Sequence, residues 1–282
     1  MSGEDAALKQ ITELAIKHKF WDQSTAGEVN VCRTSSRFCL GVEHGDYNGT
    51  ELFGVGTDRF IWLAYRPTDT GKIRLLSHNF PDDGVVEFAP GSVRELMTTE
   101  ERESASWKQF PLGVDYVLTK HGFDLKQGFD AIIYGNIPGR TAFVLNDICK
   151  KGCCVCPCRQ SVCICVVHAG GGMSRSASLT INLILVNLRV NDLKHKYEFQ
   201  IVELSQQVEN EFIGSPCGQL DQIMIYFAKS GMGTHFNPKT KAITYVELGK
   251  TTESDQLRIV GLDTGTTRHG LESSTYNIRS QV

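Results

Sequence analysis

The chain has 282 residues, 41% of them hydrophobic and 22% charged, with a formal net charge of −3. This is enough chain to bury the core of one large domain or two modest ones, and the slightly acidic balance excludes a strongly basic surface for nucleic acid or an anionic membrane. No apolar run reaches the roughly 18 residues of a membrane helix, and the polar start MSGEDAALKQ does not read as a signal peptide, so a cytoplasmic location is expected.

Residues 4–18 place apolar side chains at helical spacing behind acids in the first turn, which predicts a helix within an N-terminal helical segment, 1–28. Residues 29–41 read as strand and turn, broken at Arg33-Thr34-Ser35-Ser36-Arg37. The stretch Gly41-Val42-Glu43-His44-Gly45-Asp46-Tyr47-Asn48-Gly49 is a loop by its glycines and asparagine. Its carboxylates, imidazole and phenol suit the hydroxyls of a sugar, although a solvated polar turn fits it too. Residues 52–65 and 73–77 read as strands paired through the turn 67–71. Helices are expected over 92–104 and 107–118, and a buried strand over 128–135.

Ten cysteines are present, and seven of them (Cys149, Cys153, Cys154, Cys156, Cys158, Cys163, Cys165) crowd into one stretch. Such clustering is no disulfide framework. Residues 139–169 therefore read as an insert foreign to its flanks, as a loosely ordered insertion, or as a metal-binding module. Next comes Gly170-Gly171-Gly172-Met173-Ser174-Arg175-Ser176-Ala177-Ser178, leading into an apolar helix over 174–190. Glycines that admit a close anion, hydroxyls, and a helix N-terminus make a phosphate cradle, or an ordinary turn and cap. A helix over 198–212 carries Glu209 near its end. The turn 214–218 and a third helix opened by Gln219-Leu220-Asp221-Gln222 follow, then a hairpin over 234–247 and a buried strand over 257–262.

Four motifs in this order, Gly-x-Glu-His-x-Asp-Tyr, Gly-Gly-Gly-x-Ser-x-Ser-Ala-Ser, Cys-Gly-x-x-Asp-Gln and Arg-His-x-x-x-x-x-x-Tyr, resemble the galactokinase branch of the GHMP kinases over about residues 29–279. The resemblance implies an α+β fold with a mixed sheet and helices packed on one side, similar to the ribosomal S5 domain 2-like fold. The implied activity is transfer of the γ-phosphate of ATP to the anomeric hydroxyl of a monosaccharide. Galactose is favoured, with arabinose or galacturonate as alternative acceptors and a non-catalytic sugar/ATP sensor as the rival class. It also implies roles. Asp221 would orient and deprotonate the acceptor hydroxyl, with Arg37 paired to it. Glu43, His44, Asp46, Gly218 and Tyr276 would hold the sugar. Gly170, Gly171, Gly172 and Ser174 would cradle the β- and γ-phosphates, and Ser176 with Glu209 would share Mg2+.

Three departures accompany the resemblance. The family's Pro-Gly-Arg is Ser35-Ser36-Arg37, with Cys39 replacing the following asparagine. Arg175 replaces a small residue in the phosphate loop, where it would either contact phosphate or crowd the loop. Family members also continue with a C-terminal domain, which is expected to be missing from this chain. Residues 29–282 are thus expected to be one N-terminal sugar- and ATP-binding domain, monomeric and of low activity as written.

Overall fold

A computed structural model describes residues 3–21, 29–42, 45–137, 143–145, 166–167, 173–248 and 261–263. Its strands are β1 (Asn30–Gly41), β2 (Leu52–Thr68), β3 (Ile73–Ser77), β4 (Val86–Phe88), β5 (Gly128–Gly135), β6 (Phe143–Leu145), β7 (Val166–Val167), β8 (Met232–Asn237), β9 (Ala242–Glu247) and β10 (Gly261–Asp263). Its α-helices are α1 (Gly3–Lys17), α2 (Thr99–Ala105), α3 (Gln109–Lys120), α4 (Arg175–Val190), α5 (Gln200–Gln207) and α6 (Leu220–Tyr226).

The long strand β2 organises the main sheet. Along one edge it pairs antiparallel with β1; along the other it pairs with β5 through its C-terminal half and with β8 through its first residues. The order continues from β5 to β3 and β4 on one side, and from β8 to β9 on the other. The β3–β5 pair is parallel and the rest antiparallel, so the sheet is mixed. The hairpin expected between 52–65 and 73–77 does not form, because β5 lies between β2 and β3. Phe129, Ala131 and Ile133 of β5 face one layer and Ile132 the other, all buried. A strand buried on both faces belongs inside a sheet rather than at its edge.

Period-two alternation divides the core into two layers. Ile61, Leu63 and Tyr65 of β2 face the cluster that contains α3 and α4, whereas Trp62 and Ala64 face α1. The helices α3 to α6 cover the first face, as expected, and α1 adds a cover on the second through Ala7, Ile11 and Ala15.

Helix boundaries differ from the sequence reading in two places. Residues 92–98 are not helical; α2 starts after Thr98, whose side chain accepts from the Glu101 N–H while Glu101 caps Thr98 in return. The helix expected over 198–212 changes character at Val208, where α5 gives way to a π-helical turn, Val208–Ile213, closed by Gly214 at φ 80°. The stretch 29–41 is one continuous strand with bulges rather than strand and turn. Of the cysteine-rich insert only β6 and β7 fall among the described residues, where they form a small sheet with β10. The expectations for Cys149 to Cys165, zinc included, lie outside the described residues, as does most of 257–262.

α4 is the central helix, buried along nearly its whole length between β1 and β2 and its neighbours α3, α5 and α6. Two of its buried polar residues, Ser178 and Asn182, are bonded to the sheet. Asn182 Nδ2 donates to the Ile61 carbonyl at 3.0 Å and lies 3.2 Å from Thr34 Oγ1, while Thr34 Oγ1 donates to the Ser178 carbonyl at 2.9 Å. These bonds fix the rotation of α4 on β1, because turning the helix would leave buried polar atoms without partners.

Candidate active site

The site collects at the N-terminal ends of α4 and α6, and it starts with an irregularity in β1. Cys32 and Thr34 face α4 in the regular alternation. Between Ser35 and Arg37 the register with β2 shifts: Ser35 opposes Phe60, but Arg37 opposes Gly56. Ser36 and Arg37 are consecutively buried. A bulge of this kind re-aims the following side chains, and Arg37 and Cys39 both face α6. Arg37 Nε and Nη2 both donate to Asp221 Oδ1, at 2.8 and 2.5 Å. The arginine side chain is 10% exposed and the aspartate 35%, so the carboxylate is held from beneath and open above.

Asp221 is in the first turn of α6, and the loop before it is clamped by amides. Asn210 Oδ1 accepts from the Cys217 N–H at 2.7 Å, and the Asn210 and Gln206 amides donate to the Cys217 carbonyl. Gln219 Nε2 donates to Gln206 Oε1. Asp46 reaches in from the loop after β1: its Oδ2 accepts the Leu220 N–H at 3.0 Å and packs against Gly218. A Cβ on Gly218 would lie 1.7 Å from that oxygen, so a side chain there would have to displace Asp46. Asp46 and Gly218 border a cleft of roughly 440 Å³, also lined by Gln206, Asn210, Phe236 and Lys241.

The π turn brings Glu209 into the same region. Gly113 of α3 makes room for it: a Cβ there would be 2.9 Å from the Phe212 ring. Glu209 is 5% exposed. Its Oε2 accepts from Ser176 Oγ in the first turn of α4, and its Oε1 accepts from Gln222 Nε2, each at 3.2 Å. Burial, then the neighbouring charge of Asp221, pushes the Glu209 carboxyl up to about 8, against the smaller support of its two donors. The same burial, with Glu209 and Asp221 nearby, pushes the Cys217 thiol up as well. Ser174, which caps α4, has φ 55° and ψ 43°; it is 5% exposed and its Oγ has no hydrogen-bond partner among the described residues.

The structure therefore brings Arg37 to Asp221, Ser176 to Glu209 and Asp46 to Gly218, with Ser174 at the head of α4. Glu43, His44, Gly170, Gly171, Gly172 and Tyr276 lie outside the described residues. Gln222 belongs to the Cys-Gly-x-x-Asp-Gln motif but carries no role in the sequence reading; its position beside a motif acid was the available signal. The amide clamp of Gln206 and Asn210 carried no signal, because it depends on a π turn that shifts the register of one helix.

Residues 113–229 match the family model of the GHMP kinases N terminal domain. The galactokinase of Clostridium beijerinckii is 29% identical over 242 residues, which cover 84% of this chain and 50% of the relative. That of Enterococcus faecalis is 30% identical over 193 residues, covering 68% and 38%. The chain thus spans about half the length, or less, of these curated relatives. In fold it matches Lactococcus lactis galactokinase, solved in complex with galactose, with a TM-score of 0.72 at 24% identity over 97% of this chain and 59% of that one. Methanococcus jannaschii mevalonate kinase matches more distantly, with a TM-score of 0.51 at 16% identity over 79% and 57%. Residues 113–229 are thus similar to the GHMP kinases N terminal domain, and the similarity to galactokinases extends well beyond that segment.

Proposed function

We propose that this chain forms the sugar- and nucleotide-binding part of an ATP-dependent sugar 1-kinase, with galactose the favoured acceptor. The observation that carries the reading is the Arg37–Asp221 ion pair set beside the Ser176–Glu209 pair. Phosphoryl transfer asks the protein for little covalent chemistry and much positioning and charge balance. Asp221 Oδ1 is occupied by Arg37, which leaves Oδ2 toward the acceptor. In the reaction the anomeric oxygen forms the new P–O bond, its proton passes to Asp221, and the bond from the γ-phosphorus to ADP breaks. Arg37 balances the charge of Asp221 while the acceptor approaches. Asp46 contributes a rigid acceptor for sugar hydroxyls, since its own position is fixed by the Leu220 N–H. Glu43, His44 and Tyr276 complete the sugar set in this reading, and Gly170, Gly171, Gly172 and Ser174 the phosphate set. The similarity to galactokinases supports galactose as acceptor.

Mg2+ fits the donors present. The described residues hold no group of three or more His, Cys, Asp or Glu able to bind a metal by themselves. They do offer one carboxylate and one hydroxyl, both hard oxygens, which suits an ion that keeps waters and phosphate oxygens as its other ligands. Glu209, buried with its pKa raised, gains most from a cation nearby. Ser176 and Glu209 would hold the ion, which supplies neutralisation of phosphate charge.

Calorimetric titration with MgATP and with galactose, alongside detection of sugar 1-phosphate from galactose, arabinose and galacturonate, tests the reading. Binding of both ligands with galactose 1-phosphate as main product is expected. Failure to bind either ligand overturns it, and binding of both without product from any sugar favours the sensor.

A further inference from the structure

Arg175 is the first residue of α4, directly after Ser174. A cation at this end of a helix opposes the macrodipole, which favours negative charge there. Among the described residues its guanidinium has neither an ion pair nor a hydrogen bond; its contact is with the Phe80 ring, 5.1 Å from centroid to guanidinium carbon. Burial alone pushes its pKa down, with no charge or hydrogen bond acting the other way. A cation–π contact is weak compensation for a charge half withdrawn from water. Among the described residues, three features at this end of α4 thus lack their complement: the positive end of a 16-residue helix, the guanidinium, and the buried Ser174 hydroxyl. One anion would satisfy all three. Side chains on a helix tilt toward its N-terminus, so Arg175 extends past the first turn, and Phe80 restricts its direction. A guanidinium offers a planar fork that fits two phosphate oxygens at once.

We propose that Arg175 is a phosphate-binding residue of the nucleotide site, its guanidinium contacting phosphate oxygens of the bound nucleotide from the first turn of α4. This rests on the kinase reading above. It resolves the two roles open to this arginine in favour of contact over crowding: a crowding side chain would be relieved by truncation, whereas a phosphate ligand would be missed.

The test is calorimetric titration of the full chain and of Arg175→Ala and Arg175→Lys with MgATP, inorganic tripolyphosphate and galactose, with thermal melts of the ligand-free proteins. Arg175→Ala is expected to weaken MgATP and tripolyphosphate about tenfold or more, which corresponds to about 1.4 kcal/mol. Galactose affinity should stay within about twofold, and the ligand-free melting temperature should not fall. Arg175→Lys should recover part of the loss, since it restores charge without the fork. If the alanine variant does not fold, the lysine variant decides: weaker MgATP and tripolyphosphate with unchanged galactose affinity supports the role, and unchanged affinities overturn it. Unchanged or tighter MgATP binding by Arg175→Ala overturns this proposal alone. A wild-type chain that binds no MgATP overturns the kinase reading and this proposal with it.

Discussion

Asp221 and Gly218 show how little tolerance the site has at the level of single atoms. Arg37 donates twice to one oxygen of Asp221, which keeps the acid in one rotamer. Asp221→Asn retains an oxygen for Arg37 but loses the base. In the kinase reading it should lower kcat by about 10²–10⁴-fold, with the melting temperature little changed, as measured by sugar 1-phosphate formation and thermal denaturation. Gly218→Ala acts differently. The new methyl would overlap Asp46 Oδ2, and Asp46 must move off the Leu220 N–H to make room. A loss of about 1–3 kcal/mol of stability and weaker galactose binding are expected, from urea denaturation and calorimetry. The sequence marks Gly218 as a motif glycine and a candidate sugar contact. Its packing against Asp46, 172 residues earlier in the chain, was not legible there, because nothing local connects a loop after one strand with the turn before a distant helix.

In the kinase reading, the element that places the acid Glu209 is the π turn after α5. One extra residue in that turn, together with the close approach allowed by Gly113, brings Glu209 between Ser176 and Gln222. Period-3.6 reasoning runs straight through Val208 and misses the change, since apolar spacing alone does not distinguish an α turn from a π turn. The consequence is a pH dependence. The folded-state carboxyl of Glu209, at about 8, lies above its value of about 4.5 in an unfolded chain. Between those values the folded state holds more protons than the unfolded one, so the stabilising contribution is present below the lower value and is lost as pH rises through the upper one. Without divalent cations, stability should therefore fall as pH rises from about 4.5 to about 8. Glu209→Gln should flatten that profile, and Mg2+ with ATP should stabilise the wild type more at pH 8 than at pH 6. Urea denaturation across this range checks all three outcomes. A wild-type profile that rises with pH would count against the buried, uncompensated acid.

At the scale of the whole molecule, the sheet is covered on both faces. The helical face contains the site, while α1 closes the opposite face with Ile11 against a layer that includes Trp62, Leu76 and Ile132. Ile11 is 2% exposed. Ile11→Ala should cost about 2–5 kcal/mol, read from urea denaturation of the full chain, with MgATP affinity unchanged at saturating protein stability. A negligible loss would mean that α1 is a loosely attached segment and not a layer of the fold. The sheet that α1 covers is also the part of the architecture least readable from the sequence. The strands themselves were visible by alternation and apolar runs, but β5 entered between β2 and β3 through pairings tens of residues apart.

The sequence by itself determined most of the elements and singled out residues, Arg37, Asp46, Ser176, Glu209, Gly218 and Asp221, that the fold brings together. Hydrophobic periodicity is local, and so are the short runs around Ser176, Gly218 and Asp221; both survive in one dimension. Only the tertiary structure decided which groups meet. The bulge in β1 turns Arg37 toward Asp221, the π turn sets Glu209 against Ser176, and buried hydrogen bonds fix α4 on the sheet. Each of these depends on contacts between residues far apart in the chain, where a shift of one position reverses the face a side chain presents.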